Sequence, residues 1–169
     1  MSALDKLNHK LNQISESQDF DVKWFFKDLD TGQSLNRNGD EIGPSASTRK
    51  ISILMAAMKA VNEGKIGLLD EIVPDEKYWG TNSGCFQHFL PGFKVKFQDL
   101  LTMMIIVSDN VSTGTVTEIL TLDYINDFCK NIGMSGTDHR VGFPTGSDLT
   151  SDLNKVNSTT PNDVGLLLE

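Results

Sequence analysis

The sequence predicts a mixed α and β fold that opens with a helix and a hairpin and continues as helices. Residues 3–17 repeat leucine and isoleucine at helical spacing. Residues 20–28 change to strand alternation, and one strand face would carry Phe20, Val22, Trp24 and Phe26. From about residue 46 the apolar stretches have helical length. We therefore expect a first part with a helix and two strands, and a second part made of helices.

The first part has clear start and turn signals. Ser2 and Asp5 resemble a capping box for the first helix. Thr31-Gly32 lies between two strand-like segments and predicts the turn of a hairpin over residues 20–37. A lone hairpin is not a stable sheet, so its apolar face is expected to need further strands.

Four helices are predicted in the second part. The first of these is apolar almost all round, so we expect it to be buried, and Gly64 is a plausible C-terminal cap. The last begins with a hydroxyl residue followed by proline, as helix starts often do. The predicted helices cover about 47–62, 97–107, 123–132 and a segment that opens at Thr160-Pro161.

Composition excludes several classes of function. The formal net charge is −8, which argues against nucleic acid as the main partner. No apolar run reaches the length of about 20 residues that a membrane-spanning helix needs. The N-terminus lacks the apolar segment of a signal peptide, so we expect a cytoplasmic protein or one whose signal has been removed. Two cysteines, Cys85 and Cys129, and three scattered histidines indicate no disulfide framework, metal site or cofactor.

The segment SASTRK, residues 45–50, places a serine and a lysine at the start of the apolar helix. Positions i and i+3 share a helix face, so the Lys50 amine is expected beside the Ser47 hydroxyl. Burial would lower the pKa of Lys50, and a neutral amine could accept the serine proton. The S-x-x-K pattern is weak alone, because Ser47 could be a helix cap and Lys50 a solvated first-turn residue.

A second motif strengthens this interpretation. The tripeptide SDN occurs once, at residues 108–110, directly after the helix predicted over 97–107. Taken alone, it could be a turn that ends this helix, since all three residue types favour turns. S-x-x-K and S-D-N in this order are, however, the active-site motifs of penicillin-recognising serine enzymes.

The sequence therefore resembles the class A β-lactamases and their serine hydrolase relatives, and the resemblance runs through most of the chain. It implies a β-lactamase/transpeptidase-like fold, with an antiparallel sheet flanked by helices and an all-helical part. Residues 1–45 would supply the N-terminal helix and hairpin of the α/β part, and residues 46–169 would form the all-helical part with both motifs. It also implies a small-molecule substrate, either a β-lactam or a peptide-like amide, and a periplasmic or secreted location.

The resemblance also implies roles for single residues. Ser47 would be the acylated nucleophile, and its backbone N–H would form half of the oxyanion hole. Lys50 would accept or relay the proton, and Ser108 would pass it to the leaving nitrogen. Asn110 would bind the amide side chain of the substrate, and Asp109 would brace the loop.

The family's K-T-G motif is one departure from the pattern. No K-T-G or K-S-G occurs in the chain, although the family carries this motif on a C-terminal strand. We therefore expect an N-terminal fragment that lacks the C-terminal strands and helix and is inactive alone. A second chain could supply the remaining part.

The glutamate that activates the deacylating water in class A enzymes is the other departure. No glutamate lies between Glu118 and Glu169. An alignment on TSDLN would place Asn154 at the family's omega-loop asparagine and Thr150 at the glutamate position. Asp148 or Asp152 could substitute, although the plain interpretation of both is a turn or capping residue. Slow deacylation would then be expected.

Three functions remain open at this point. The first is a β-lactamase-like serine hydrolase that is acylated at Ser47 and then releases the product. The second keeps the fold but acts as a D-alanyl peptidase, esterase or amidase. The third is a non-catalytic or incomplete chain that acts only as a binding module.

Overall fold

The structure is a computed structural model, and it describes residues 1–142 and 152–169. Six helices and six strands are formed by these residues. The helices are α1 (Ala3–Glu16), α2 (Arg49–Asn62), α3 (Phe97–Ile106), α4 (Asn110–Leu120), α5 (Leu122–Asn131) and α6 (Pro161–Leu167). The strands are β1 (Trp24–Lys27), β2 (Ser34–Arg37), β3 (Gly43–Pro44), β4 (Glu71–Ile72), β5 (Val95–Lys96) and β6 (Ser158–Thr159).

The predicted mixture of α and β structure is confirmed, with three antiparallel pairs: β1 with β2, β3 with β6, and β4 with β5. The Ser2–Asp5 capping box and the helix start at Thr160-Pro161 are also confirmed. Gly32 adopts a φ of +71° in the hairpin turn.

Helices flank the hairpin on both faces. The Trp24 indole N–H donates to Ser15 Oγ of α1 at 3.1 Å. The next residue, Phe25, points to the opposite face, as successive strand residues do. There its ring lies so close to Gly165 of α6 that a Cβ atom on this glycine would approach it to 2.2 Å. Helix α6, in the last described segment of the chain, therefore packs against the hairpin. The predicted division of the chain at residue 46 stays a prediction.

The hairpin is shorter than predicted. Strand β1 begins at Trp24, not at residue 20, and the side chain of Phe20 is 65% exposed. The partner strand explains this difference, because Trp24 pairs with Arg37 and the next residue, Asn38, has a φ of +51°. The left-handed turn takes the chain away from the ladder and leaves residues 20–23 without a strand partner.

The main core lies between α2, α3, α4 and α5. Helix α2 is not buried all round as predicted, because Met55 and Met58 are 42% and 41% exposed. Its opposite side is fully buried against the other helices. The core side chains include Ile53, Ala56, Ala57, Phe97, Leu100, Met104, Val111, Val116 and Ile125. Among the described helices, none is long and apolar enough to cross a membrane.

Candidate active site

Ser47 lies in a short 3₁₀ turn, Ala46–Thr48, that leads directly into α2. The preceding residue, Ala46, has a φ of +42°, a region that L-residues rarely adopt. Ser47 is solvent-exposed, whereas Arg49 and Lys50 that follow are buried. The turn therefore presents a hydroxyl at the surface directly above two buried cationic side chains.

The Lys50 amine has three hydrogen-bond acceptors, which match its three N–H donors. Nζ donates to Ser108 Oγ at 2.7 Å, to the Ser108 backbone carbonyl at 2.8 Å and to Asn110 Oδ1 at 2.8 Å. All three acceptors are neutral. The S-x-x-K and S-D-N motifs, predicted to act together, therefore meet in one cluster.

The contact between this cluster and Ser47 runs through Ser108. The hydroxyls of Ser108 and Ser47 are 3.1 Å apart and hydrogen-bonded. We expected the Lys50 amine itself beside Ser47 from the i, i+3 spacing. Within the described residues, no hydrogen bond joins Lys50 Nζ to Ser47 Oγ. The reason is that Ser47 precedes α2 in a 3₁₀ turn, so it does not follow the helical spacing.

Ser108 itself has an unusual backbone conformation. Helix α3 ends at Ile106, α4 begins at Asn110, and Ser108 between them has a φ of +54°. The Asp109 backbone N–H donates to the carbonyl of Met103, which folds the chain back over the end of α3. Left-handed backbone costs a non-glycine residue free energy, and such strain is often found at functional sites.

Asp109 holds this loop in place. Its side chain is fully buried, and Oδ1 accepts from the Ser112 N–H at 2.8 Å and so caps α4. Oδ2 accepts from the backbone N–H groups of Cys85 and Phe86 at 2.7 and 2.9 Å. These contacts agree with the bracing role expected for Asp109.

Gly84 allows the approach between the 84–86 segment and Asp109. Its φ is +100°, and an added Cβ would lie 2.2 Å from Asp109 Oδ2. No motif in the sequence points to this residue. Glycine is required at position 84 because the positive φ disfavours other residues and because Asp109 leaves no room for a Cβ atom.

Burial changes the acid–base chemistry of Lys50. Its side chain is 4% exposed, and desolvation, assisted by the charge of Arg49, lowers its pKa to about 8. The carboxylate of Asp109 acts in the opposite direction. The predicted fall in the Lys50 pKa therefore follows from the environment that the structure shows, and a neutral amine is accessible just above neutral pH.

A buried polar cluster that no sequence motif predicts lies beneath Lys50. The Arg49 guanidinium donates to the Val141 carbonyl at 2.8 Å, and burial lowers its pKa to about 10. The Ser52 hydroxyl donates to the Arg49 carbonyl at 2.7 Å and lies 2.9 Å from His139 Nε2. Because the Ser52 hydrogen is used in this way, His139 donates from Nε2 to the Ser52 hydroxyl. Burial, with the charge of Arg49, lowers the pKa of His139 to about 3.

Asn157 ties the nucleophile loop to the segment before residue 143. Its backbone carbonyl accepts from the Ser45 N–H at 2.8 Å. Its side-chain Oδ1 accepts from the N–H groups of Arg140 and Val141 at 2.8 and 3.0 Å. No local pattern in the sequence marks this residue, because its function depends on contacts between distant segments.

Two of the residues considered for the omega loop, Asn154 and Asp152, lie in the described part of the chain. Thr150 and Asp148 lie outside the described residues. Asn154 is exposed, and its backbone N–H donates to Asp152 Oδ1 at 3.0 Å. No hydrogen bond of the described residues links Asn154 or Asp152 to Ser47, Lys50 or Ser108. In residues 1–142 and 152–169, no group of three or more histidine, cysteine or acidic residues could hold a metal ion.

Comparisons with known proteins agree with this geometry. Residues 6–169 match the sequence model of the family described as "Beta-lactamase enzyme family". The D-alanyl-D-alanine carboxypeptidase DacF of Bacillus subtilis (strain 168) is 29% identical over 125 residues, which cover 69% of this chain and 31% of DacF.

Solved structures show the same fold. The structure of PBP-A is 28% identical with a TM-score of 0.80, over 97% of this chain and 60% of that one. A β-lactamase from Sphaerobacter thermophilus DSM 20745 is 26% identical with a TM-score of 0.84, over 94% of this chain and 59% of that one. The chain thus spans about 60% of the length of these solved relatives and about a third of DacF. The predicted β-lactamase/transpeptidase-like fold is therefore confirmed, and the chain belongs to the β-lactamase enzyme family.

Proposed function

We propose that this chain carries the nucleophile half of a serine hydrolase site, which a β-lactam or a related amide acylates at Ser47. The observation that carries the proposal is the hydroxyl relay between Ser47 and Lys50. Ser108 Oγ lies 3.1 Å from Ser47 Oγ and 2.7 Å from Lys50 Nζ. A serine hydroxyl needs such a base to become a nucleophile at neutral pH.

The direction of the relay follows from the charge of Lys50. When the amine is charged, it donates to Ser108, and Ser108 donates to Ser47. When the amine is neutral, the same bonds can reverse, so Ser47 donates to Ser108 and Ser108 donates to the amine. Ser47 Oγ then attacks the substrate carbonyl while its proton moves through Ser108 to Lys50. When the C–N bond of the amide breaks, the proton would return from Lys50 by way of Ser108 to the leaving nitrogen.

Asn110 is proposed to bind the amide side chain of the substrate. Its Oδ1 is occupied by Lys50. Within the described part of the chain, no hydrogen bond uses its Nδ2 group. The amide N–H donors of Asn110 therefore stay available for a substrate carbonyl, and the lysine contact determines that Oδ1, not Nδ2, is bound inside the site.

The remaining elements of the site are also proposals. The resemblance implies a cation for the substrate carboxylate and a second oxyanion donor on a C-terminal strand. We propose that these groups come from the part of the fold that the chain does not span, in the same or a second polypeptide. A mutant of PBP-A has been solved as an acyl-enzyme complex with penicillin G, which supports a penicillin as the probe.

The test is the intact mass of the full-length protein before and after addition of penicillin G. We expect a single covalent adduct that Ser47→Ala abolishes. Ser45→Ala is the matched control, because this hydroxyl is two residues away and makes no hydrogen bond with the described residues. An adduct that survives in Ser47→Ala, or an unmodified protein with intact drug, would contradict the proposal.

The second candidate is a D-alanyl peptidase, esterase or amidase. It is favoured by the lack of any glutamate between Glu118 and Glu169, because a long-lived acyl-enzyme is expected without an efficient base for deacylation. A persistent adduct together with release of D-alanine from a D-alanyl-D-alanine peptide would favour the peptidase. An unmodified mass with consumed penicillin would favour the β-lactamase. If Ser47→Ala left the biological role intact, the protein would be a binding module.

A further inference from the structure

An apolar groove of about 350 Å³ lies between α2 and α3 at the surface of the protein. Leu54 and Met58 line it from α2, and Leu101 and Ile105 line it from α3. The members of each pair are four residues apart and so share a helix face, which gives the groove an apolar stripe on each wall. Within the described part of the chain, no charged side chain lines the groove.

The groove leaves large apolar side chains exposed to solvent. Met58 and Ile105 are 41% and 42% exposed, and Ile106 at the end of α3 is 67% exposed. Single exposed apolar residues are ordinary on a protein surface, whereas a contiguous apolar groove marks an interaction surface. We therefore expect another element of structure to cover this groove.

The kind of element that can cover the groove follows from its walls. Both walls are helices, whose backbone N–H and C=O groups bond within the helix, so the groove offers side chains only. An extended segment laid here would bury its own backbone groups without partners, which costs free energy. A helix satisfies its backbone internally and can bury one apolar face between two other helices. An amphipathic helix is therefore the element that fits.

A second copy of the chain fits the groove less well than such a helix. A two-fold pairing through this face would place one groove against the other, and two concave surfaces do not fill each other. Each copy also carries a formal net charge of −8, so two copies repel each other. The same charge disfavours an anionic membrane surface as the partner.

The solved relatives indicate where the helix would come from. PBP-A and the Sphaerobacter β-lactamase match nearly all of this chain, but the match covers only 60% and 59% of their own chains. A large part of each relative therefore has no counterpart in residues 1–169. We infer that the groove between α2 and α3 is the seat of an amphipathic helix from the corresponding part of the full-length protein. The inference goes beyond the proposed function and does not depend on acylation of Ser47.

The test is site-specific photo-crosslinking in the full-length protein. A benzophenone amino acid replaces Met58 or Ile105, and mass spectrometry identifies the crosslinked peptides. We expect both positions to crosslink, within one molecule, to peptides outside residues 1–169, at sites three or four residues apart as one helix face requires. The matched control is the same substitution at Ile119 of α4, which is 38% exposed but does not line the groove. The control should give no such crosslink.

Three outcomes would overturn the inference. Crosslinks that join two copies of the protein would make the groove a dimer interface. Crosslinks to peptides without helical spacing would show that an extended segment or a loop covers the groove. If positions 58 and 105 crosslink no more than position 119, the groove is open to solvent.

A pair of substitutions tests the same point without the crosslinker. Ile105→Lys should lower the urea midpoint of unfolding of the full-length protein by about 1 M, because a covered groove would bury an unpaired ammonium group. Ile119→Lys should leave this midpoint unchanged, as substitutions at exposed positions usually do. Equal midpoints in the two variants would contradict a covered groove.

Both readouts are independent of penicillin. A full-length protein that penicillin never labels would overturn the proposed function, while its crosslinks would still show whether a helix covers the groove. A labelled protein with an open groove would overturn the inference about the helix alone.

Discussion

Lys50 Nζ and Ser108 Oγ lie 2.7 Å apart, and it is the serine of this pair that contacts Ser47. The proposed base and the proposed nucleophile are thus separated by one hydroxyl group. This arrangement makes Ser108 a necessary part of proton transfer.

Replacement of Ser108 by alanine should therefore slow acylation strongly. The loss of a positioned proton-transfer group typically costs a factor of about 10² to 10⁴ in rate. The measurement is the time course of labelling by a fluorescent penicillin in the full-length protein. Ser83→Ala is the control, because this hydroxyl makes only a 3.4 Å bond to the Val107 carbonyl, and it should change the rate by less than about threefold. Equal rates in Ser108→Ala and wild type would mean that Lys50 reaches Ser47 directly.

Acylation should also depend on pH through Lys50. Since burial lowers its pKa to about 8, the neutral amine is a minor form at pH 6 and the major form at pH 9. The rate should rise about tenfold per pH unit below this midpoint and level off above it. Lys50→Arg should be acylated very slowly at every pH, because a guanidinium does not accept a proton in this range. A wild-type rate that is constant between pH 6 and 9 would exclude Lys50 as the base.

Gly84→Ala should destabilise the protein by about 3 kcal/mol for two reasons. The alanine would have to adopt a left-handed backbone conformation, and its Cβ atom would collide with the Asp109 carboxylate. Gly32→Ala is the matched control. That glycine also has a positive φ, of +71°, but nothing lies within 4 Å of an added Cβ, so only about 1 kcal/mol is expected. The free energy of unfolding in urea measures both. Equal losses would show that strain, and not the contact with Asp109, sets the requirement for glycine at position 84.

His139 should make the fold sensitive to acid. Burial lowers its pKa from about 6.5 to about 3, so the unfolded chain binds a proton that the folded chain does not bind between these values. The stability present above pH 6.5 is therefore lost as the pH falls, by up to about 1.4 kcal/mol per pH unit. His139→Gln should remove this part of the slope. His9→Gln, on the exposed face of α1, should keep it. Identical slopes in wild type and His139→Gln would contradict the assignment of a buried neutral histidine.

Residue patterns predicted the helices that have strong local signals. The Ser2 capping box and the Thr160-Pro161 start identify α1 and α6 because the side chains that define them are close in sequence. Helix α4 was missed, since NVSTGTVTEIL is rich in threonine, serine, valine and glycine, which are weak helix formers. Its stability comes from burial: residues 110–117 are all buried, and tertiary packing overrides the local preference.

The candidate site shows the same contrast between features with a local sequence signal and features that depend on tertiary contacts. Ser47, Lys50, Ser108 and Asn110 were predicted from two motifs, and the structure brings all four together. Their detailed geometry was not predicted, because the 3₁₀ turn at Ala46–Thr48 depends on contacts made elsewhere. Arg49, His139 and Asn157 were missed because an isolated polar residue gives no local sign that it will be buried. The two-residue strands β3 and β6 were likewise not predicted, because they depend on pairing between segments that are distant in the sequence.

The pairing of β3 with β6 has a consequence for the order of folding. The Ser45 N–H is satisfied by the carbonyl of Asn157, and Gly43 pairs with Thr159, so contacts roughly 110 residues apart fix the loop before the nucleophile. Contacts between residues so far apart in sequence form late, because a long loop must close before these contacts can offset the entropy cost of its closure. During synthesis, the helical core can assemble before residues 157–159 have left the ribosome. Ser47 should therefore acquire its reactive geometry among the last steps, after most of the core around α2 has packed.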